Sequence, residues 1–136
     1  MTYTLPIKIM FQHCDPAGIV FYPRYFEMIN ETVETFFEEA IGYPFATMHG
    51  RDGRGVPTVT IAADFKAPSR LGDVVDFAMT IVKVGNTSLG YELKASCAGE
   101  VRLEATGTLV HINDQSGRPV PWSDEVRTKL KEAAAF

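Results

Sequence analysis

Between Asp73 and Ile112 the chain has a hydrophobic period of two, interrupted only at Gly85-Asn86 and at Gly99. Both interruptions are hairpin signals. They cut the run into three neighbouring strands, Asp73 to Val84, Ser88 to Ala98 and Glu100 to Ile112. Strands joined this tightly run antiparallel, because a parallel pair needs a crossover of a dozen or more residues. One more strand starts near Val56. Val59, Ile61, Ala63 and Phe65 face one way and Thr58, Thr60, Ala62 and Asp64 the other, until Pro68 breaks the pattern and Gly72-Asp73 turns the chain. An antiparallel sheet of this kind has one buried face, and something must cover it.

The cover is the segment from Pro23 to Ile41. Phe26, Ile29, Val33, Phe36, Phe37 and Ala40 recur at helical spacing, with Glu27, Glu31, Glu34 and Glu38 opposite. Pro23 suits the first helical position and Gly42 is a stop signal. At ~1.5 Å per residue the helix is roughly 28 Å long. Asn30 lies among the stripe residues, where a polar group needs a partner. Ahead of the helix, Tyr3 to Gln12 reads as a strand, with Pro6 suiting an edge. After it, Pro44 to Gly55 is irregular, with a helical turn near Phe45 to His49 and a mobile loop at Arg51 to Gly55. Beyond Asn113 to Gly117, Ser123 reads as the N-cap of a short helix. Asp124 and Glu125 lie in its first turn, Lys129 and Lys131 come later, and it ends in Ala133-Ala134-Ala135-Phe136. The order of elements gives an α+β, two-layer domain over residues 1–136. One long helix does not cover such a sheet alone, so a partner subunit is expected.

A net charge of −4 and the lack of any Lys/Arg block argue against nucleic acid as a partner. No apolar run reaches membrane-spanning length, and the start MTYTLPIKIMF lacks the pattern of a signal peptide. Cys14 and Cys97 make no disulfide framework, so a cytoplasmic location is expected. His111 has no matching ligands for a metal site, and no G-x-S-x-G supports serine catalysis.

The chemistry is concentrated in His13-Cys14-Asp15-Pro16-Ala17-Gly18-Ile19-Val20-Phe21-Tyr22-Pro23-Arg24-Tyr25. Pro16 pushes Asp15 out of helical space, and Gly18 can supply a positive φ to close the turn. An acid is thereby held at the end of a strand beside the unpaired amides of a helix start. Two readings stand on the residues alone: a surface turn residue, or a carboxylate placed for chemistry on a carbonyl. In an extended strand His13 and Cys14 point to opposite faces, which argues against a Cys–His dyad, while His13 and Asp15 share a face.

With Cys14-Asp15-Pro16-Ala17-Gly18-Ile19-Val20 leading into the helix, with Pro23 to Tyr25, and with Pro68 followed by Gly72-Asp73, the chain resembles the hotdog-fold thioesterases. Within them it is most similar to the 4-hydroxybenzoyl-CoA thioesterase family, from about Ile7 to Ile112. The resemblance implies an acyl-CoA thioesterase acting on 4-hydroxybenzoyl-CoA or a related benzoyl-CoA, with a short-chain acyl-CoA thioesterase or a non-catalytic acyl-CoA binding protein as the alternatives. Asp15 would be nucleophile or general base, and the backbone N–H of Tyr22 would polarise the thioester carbonyl. CoA would enter as part of the substrate, with no cofactor and no metal. Asn30 stands where the family carries an acid that meets the substrate phenol. Thr58 and Thr60, on one strand face, would border the acyl pocket, while Lys66, Arg70 and Lys83 are the cations available to the CoA phosphates. The resemblance also implies a homo-oligomer, at least a dimer and expected as a tetramer built as a dimer of dimers, with the active site between subunits.

Overall fold

The structure is a computed structural model that describes residues 1–134, so the helix end expected at Ala135-Phe136 lies outside the described residues. Five strands form one antiparallel sheet: β1 (Thr2–Lys8), β3 (Thr58–Phe65), β4 (Val74–Val84), β5 (Ser88–Cys97) and β6 (Glu100–Val110), in the order β1-β4-β5-β6-β3. The β5–β6 turn carries Ala98 at φ 50° and Gly99 at φ 82°, the left-handed pair of a two-residue hairpin. The turn pairs Cys97 with Glu100, and a one-residue bulge at Arg102 then shifts the register to set Tyr91 opposite Gly107.

Helix α1 (Pro23–Phe36) lies on the sheet and buries Tyr25, Met28, Ile29, Thr32, Val33 and Phe36. The expected stripe is therefore rotated. Phe26 sits on its exposed rim, while Tyr25 and Met28 are inside. The helix runs on through a widened π-turn, Phe37–Ile41, which keeps Phe37 and Ile41 in the core, and stops at Gly42 with φ 73°. Across the interface the sheet offers Val75, Phe77, Met79, Ile81, Leu89, Tyr91, Leu93, Leu103 and Leu109, all buried. Each large apolar side chain enclosed this way contributes about 1.5–3 kcal/mol, which fixes α1 on the sheet along its whole length. This is the hotdog arrangement that the resemblance implied. Helix α3 (Asp124–Ala134), capped by Ser123 Oγ accepting the Val126 N–H, also packs against β4, so the long helix shares the covering of the sheet.

Several expectations need correction. Strand β1 ends at Lys8, and its neighbour Ile9 still exchanges bonds with Gly72 and Asp73. The chain then leaves the sheet in a single 3₁₀ turn, Phe11–His13, instead of running extended to Gln12. Arg51 to Gly55 is not a loose loop. After α2 (Phe45–Gly50), Asp52 accepts the Tyr43 hydroxyl and the Arg51 guanidinium. The next residues form β2 (Arg54–Gly55), paired with β7 (Ile112–Asn113). Among the described residues strand β3 pairs only with β6, and its other edge is open, with Val59, Ile61 and Phe65 exposed. A bulge between Thr58 and Thr60 sets Thr58 opposite Leu109 and Thr60 opposite Thr108. Neighbouring strand residues face opposite ways, so the two threonines lie on different faces and not on the shared face expected.

Candidate active site

Asp15 stands in a narrow turn between β1 and α1. Its N–H donates to the Ile19 carbonyl (2.9 Å), and its carbonyl accepts the Gly18 N–H (2.9 Å), with Gly18 at φ 78°. Cys14 bridges Val20, and the Phe21 N–H donates to the His13 carbonyl (2.9 Å). Backbone bonds from the turn after β3 hold the other side. The Val20 N–H donates to the Ser69 carbonyl (2.9 Å), and Ile19 bridges Arg70. Asp15 Oδ1 accepts the Ala17 N–H (2.9 Å), a local Asx-type turn. Oδ2 has no partner among the described residues, and the side chain is half-buried. The carboxylate is therefore fixed at one oxygen and open at the other, as a nucleophile or base requires.

The start of α1 supplies the complement. Pro23 occupies its first turn and has no N–H, and the Phe21 N–H is already used. The Tyr22 N–H donates to nothing among the described residues. A free amide at a helix N-terminus, where the peptide dipoles add, favours a developing negative oxygen.

Two cavities follow along the groove between α1 and β3. The first, about 270 Å³, is lined by Ile19, Val20, Tyr22, Tyr25, Phe65 and Lys66, with Ala67 and Pro68 at its rim. The second, about 390 Å³, is lined by Phe26, Ile29, Asn30, Val33, Thr58, Ile61 and Tyr91. Phe65 stands between them, its ring 5.9 Å from that of Tyr22, 5.7 Å from Tyr25 and 6.3 Å from Phe26. The second cavity is apolar apart from Asn30, Thr58 and the Tyr91 phenol, whose pKa burial raises. Asn30, eight residues beyond Tyr22, lies about 12 Å further along the helix.

The structure sets Tyr22 and Lys66 around the first cavity, bridges the backbone of Arg70 to Ile19 in the Asp15 turn, and sets Asn30 beside Thr58. It separates the remaining candidates. Thr60 is on the outer face of the sheet. Lys83 lies near the far end of β4, nine residues (~30 Å at strand rise) beyond Val74, where that strand leaves the Asp15 region. Asn30 is exposed on the groove wall and not buried in the stripe. His13 does not share a face with Asp15. The 3₁₀ turn folds its ring back, Nδ1 accepts the Met10 N–H (2.8 Å), and the ring faces Arg24, Glu27 and Glu31. Among the described residues no cluster of His, Cys, Asp and Glu could hold a metal ion.

A model of the thioesterase-like superfamily matches residues 9–130, which take in the Asp15 turn, the groove and the whole meander. The chain belongs to that superfamily. As a superfamily member it is a thioester hydrolase, and its solved relatives share the fold over nearly their whole length. A gentisyl-coenzyme A thioesterase is 26% identical, with 94% of this chain and 99% of that one covered at a TM-score of 0.86. A 1,4-dihydroxy-2-naphthoyl-CoA thioesterase from Synechocystis is 19% identical, with 97% of each chain covered at a TM-score of 0.87. A Staphylococcus aureus protein in complex with CoA is 13% identical, with 99% of this chain and 85% of that one covered at a TM-score of 0.91. No curated protein sequence matches the chain.

Sequence reasoning about this thioesterase overlooked Phe65, Tyr25 and Tyr91. Tyr25 and Tyr91 are both buried, and each also lines a groove cavity. The Tyr25 hydroxyl is enclosed with no hydrogen-bond partner among the described residues. Gly107 was a signal for Tyr91 only in part: the Gly99 turn alone would pair Tyr91 with Thr106, and the one-residue bulge at Arg102 that moves the register to Gly107 is not marked in the sequence.

Proposed function

We propose that this thioester hydrolase acts on an aryl-CoA, 4-hydroxybenzoyl-CoA or a related benzoyl-CoA, releasing the free acid and CoA. The observation that carries the reading is the line formed along one side of α1. An unpaired Tyr22 N–H stands at its start, just past the turn that holds Asp15 with one carboxylate oxygen open, and an apolar cavity holding Asn30 and Thr58 lies further down. The thioester carbonyl oxygen takes the Tyr22 N–H, and Asp15 either attacks the carbonyl carbon, expelling the CoA thiolate and leaving an acyl-Asp15 anhydride that water then hydrolyses, or takes a proton from the water that attacks. The thiolate of CoA is a good leaving group, so little acid assistance is needed. An oxyanion donor of this kind is worth about 10²–10³ in rate. The aryl ring fills the apolar cavity, where Asn30 offers a neutral hydrogen bond to a ring substituent. The gentisyl- and dihydroxynaphthoyl-CoA thioesterases among the structural relatives carry aryl groups of this class. Lys66, which lines the first cavity, and Arg70, which bridges Ile19, serve as the cations for the CoA phosphates, and CoA enters as part of the substrate with no separate cofactor.

The open edge of β3 and the uncovered groove support a second copy of the chain closing the site, in a dimer or a dimer of dimers. The test is hydrolysis of a panel of CoA thioesters, benzoyl, 4-hydroxybenzoyl, short-chain and long-chain, followed by thiol release. Asp15→Asn serves alongside the wild type. Aryl thioesters are expected to be turned over best, and Asp15→Asn to lower kcat by about 10² or more with KM little changed, because general-base assistance alone is worth ~10²–10⁴. A variant within a few-fold of wild type would leave Asp15 a turn residue. A preference for short-chain acyl-CoA would overturn the aryl reading.

A further inference from the structure

Arg102, on β6, is remote from the helix start in sequence and does not line either groove cavity. Its side chain is only 12% exposed. One nitrogen, Nη1, donates to the Pro68 carbonyl (3.1 Å), Ser69 Oγ (3.2 Å) and Asp73 Oδ2 (2.8 Å). Nε lies 2.7 Å from Glu100 Oε1, a charge contact whose geometry is too bent for a hydrogen bond. Asp73 Oδ2 also accepts the Arg70 N–H (2.9 Å), and the Arg102 hydrogen bond is the main reason its carboxyl lies below the usual carboxylate range. The Arg102 carbonyl accepts the Lys66 N–H (2.9 Å). A single residue therefore grips both ends of the turn from Pro68 to Asp73.

That turn is the frame against which the Asp15 turn is built. Ser69 is wholly buried, and its carbonyl takes the Val20 N–H. Arg70 bridges Ile19, and the Leu71 N–H reaches the Gly18 carbonyl (3.4 Å). On the other side the Gly72 N–H donates to the Ile9 carbonyl (2.9 Å), and the Ile9 N–H to the Asp73 carbonyl (2.8 Å). The chain segment carrying Asp15 is tied to this turn at both its beginning and its end. The ties are backbone bonds, whose direction follows the conformation of the turn. Nη1 has two hydrogens for these three acceptors, so one N–H is shared, and the planar guanidinium fixes the directions of both as a freely rotating ammonium would not.

We propose that Arg102 is a positioning residue for the thioesterase reaction. It fixes the Pro68–Asp73 turn and, through Ser69 and Arg70, the placement of the Asp15 carboxylate against the Tyr22 N–H. The proposal rests on the reading of Asp15 given above. A displacement of about an ångström at a reacting group costs on the order of 10²-fold in rate, so a loosened turn acts on kcat before it acts on folding or on CoA affinity.

The experiment is a double-mutant cycle on benzoyl-CoA with Arg102→Met, Asp15→Asn and the pair, each as the folded oligomer well below its melting temperature. Arg102→Met keeps the aliphatic stem and removes the charge and donors. Expected is a fall in kcat of tenfold or more with KM within threefold. Arg102→Lys should recover part of the loss, and Arg102→Met should cause no further fall in an Asp15→Asn background, because it acts only through Asp15. If Arg102→Met does not fold, Asp73→Asn replaces it under the same thresholds. A kcat within threefold of wild type overturns the proposal. So does an equal loss in the Asp15→Asn background, which marks a general structural effect. Full activity of Asp15→Asn alone is a different result: the Asp15 reading fails, and this proposal falls with it.

Discussion

Tyr91 lies across Gly107. A Cβ on Gly107 would sit 2.4 Å from the Tyr91 hydroxyl oxygen and 2.5 Å from Cζ, so the ring occupies the space a side chain would need. The same row continues to Ile61, which pairs with Gly107 from the other side. The missing side chain lets the tyrosine lie over β6 and reach the groove, where it and Ile61 form the floor under Asn30.

Gly107→Ala should therefore be costly. Tyr91 is 1% exposed, and the free space beside its ring is the groove cavity it lines. Overpacking of a well-filled core costs about 1–3 kcal/mol, and urea denaturation should show a loss of that size. Turnover of aryl-CoA should fall in the same variant, because the displaced ring enters the cavity. Unchanged stability would mean that the ring moves freely.

Asn30→Asp tests the substituent end of the cavity. A carboxylate can accept a phenolic hydrogen more strongly than an amide can. The ratio of 4-hydroxybenzoyl-CoA to benzoyl-CoA turnover should rise by several-fold, at about 1.4 kcal/mol per factor of ten. An unchanged ratio would return Asn30 to a purely structural role.

Val59→Lys tests the open edge of β3. Val59 is 54% exposed and stands on an edge with no neighbour strand. A lysine on such an edge opposes pairing with another strand. Light scattering should show at least a dimer for the wild type and a shift towards the single-chain mass for the variant, with activity falling in parallel. A wild type that is monomeric and fully active would end the proposal of a shared site.

His111 gives the protein a pH-dependent stability. Its ring stacks on Trp122 at 4.5 Å between centroids, and Nδ1 bonds the Val120 carbonyl (2.8 Å). Burial is the main cause holding its pKa below the ordinary value of 6.5. The Arg54 charge adds to this, and the Val120 and Pro121 carbonyls oppose it. The unfolded chain takes up the proton near 6.5, while the folded one does so only at lower pH. This contribution is therefore fully present above that value and is lost as the pH falls through the folded pKa. Melting temperatures between pH 7.5 and 5 should decline more steeply for wild type than for His111→Gln. Parallel curves would sink the assignment.

The meander and the long helix were legible because each rests on a local rule. The Gly85-Asn86 and Ala98-Gly99 turns specify strand neighbours, and Pro23 with Gly42 bounds a helix of strong amphipathic period. The Asp15 turn was legible for the same reason, since Pro16 and Gly18 set its backbone. What escaped depended on contacts between distant segments. The fold-back of His13 comes from a ring nitrogen capturing the Met10 N–H, which no periodicity announces. The anchoring of Arg51 to Gly55 requires β7, some sixty residues on. The rotation of the α1 stripe, with Tyr25 inside and Phe26 on the rim, reflects where Phe65 arrives from β3.

The bulge at Val59 gives the groove a freedom that the rest of the sheet lacks. Thr58 and Thr60 keep their pairings with Leu109 and Thr108 whether or not an extra residue stands between them. Anywhere else on β3, gaining or losing one residue would turn Ile61, Ala63 and Phe65 outward. At this point the strand can change length by one while every other side chain keeps its orientation. The wall beside Asn30 can therefore be widened or narrowed in evolution, or by an engineer, without the core having to be rebuilt.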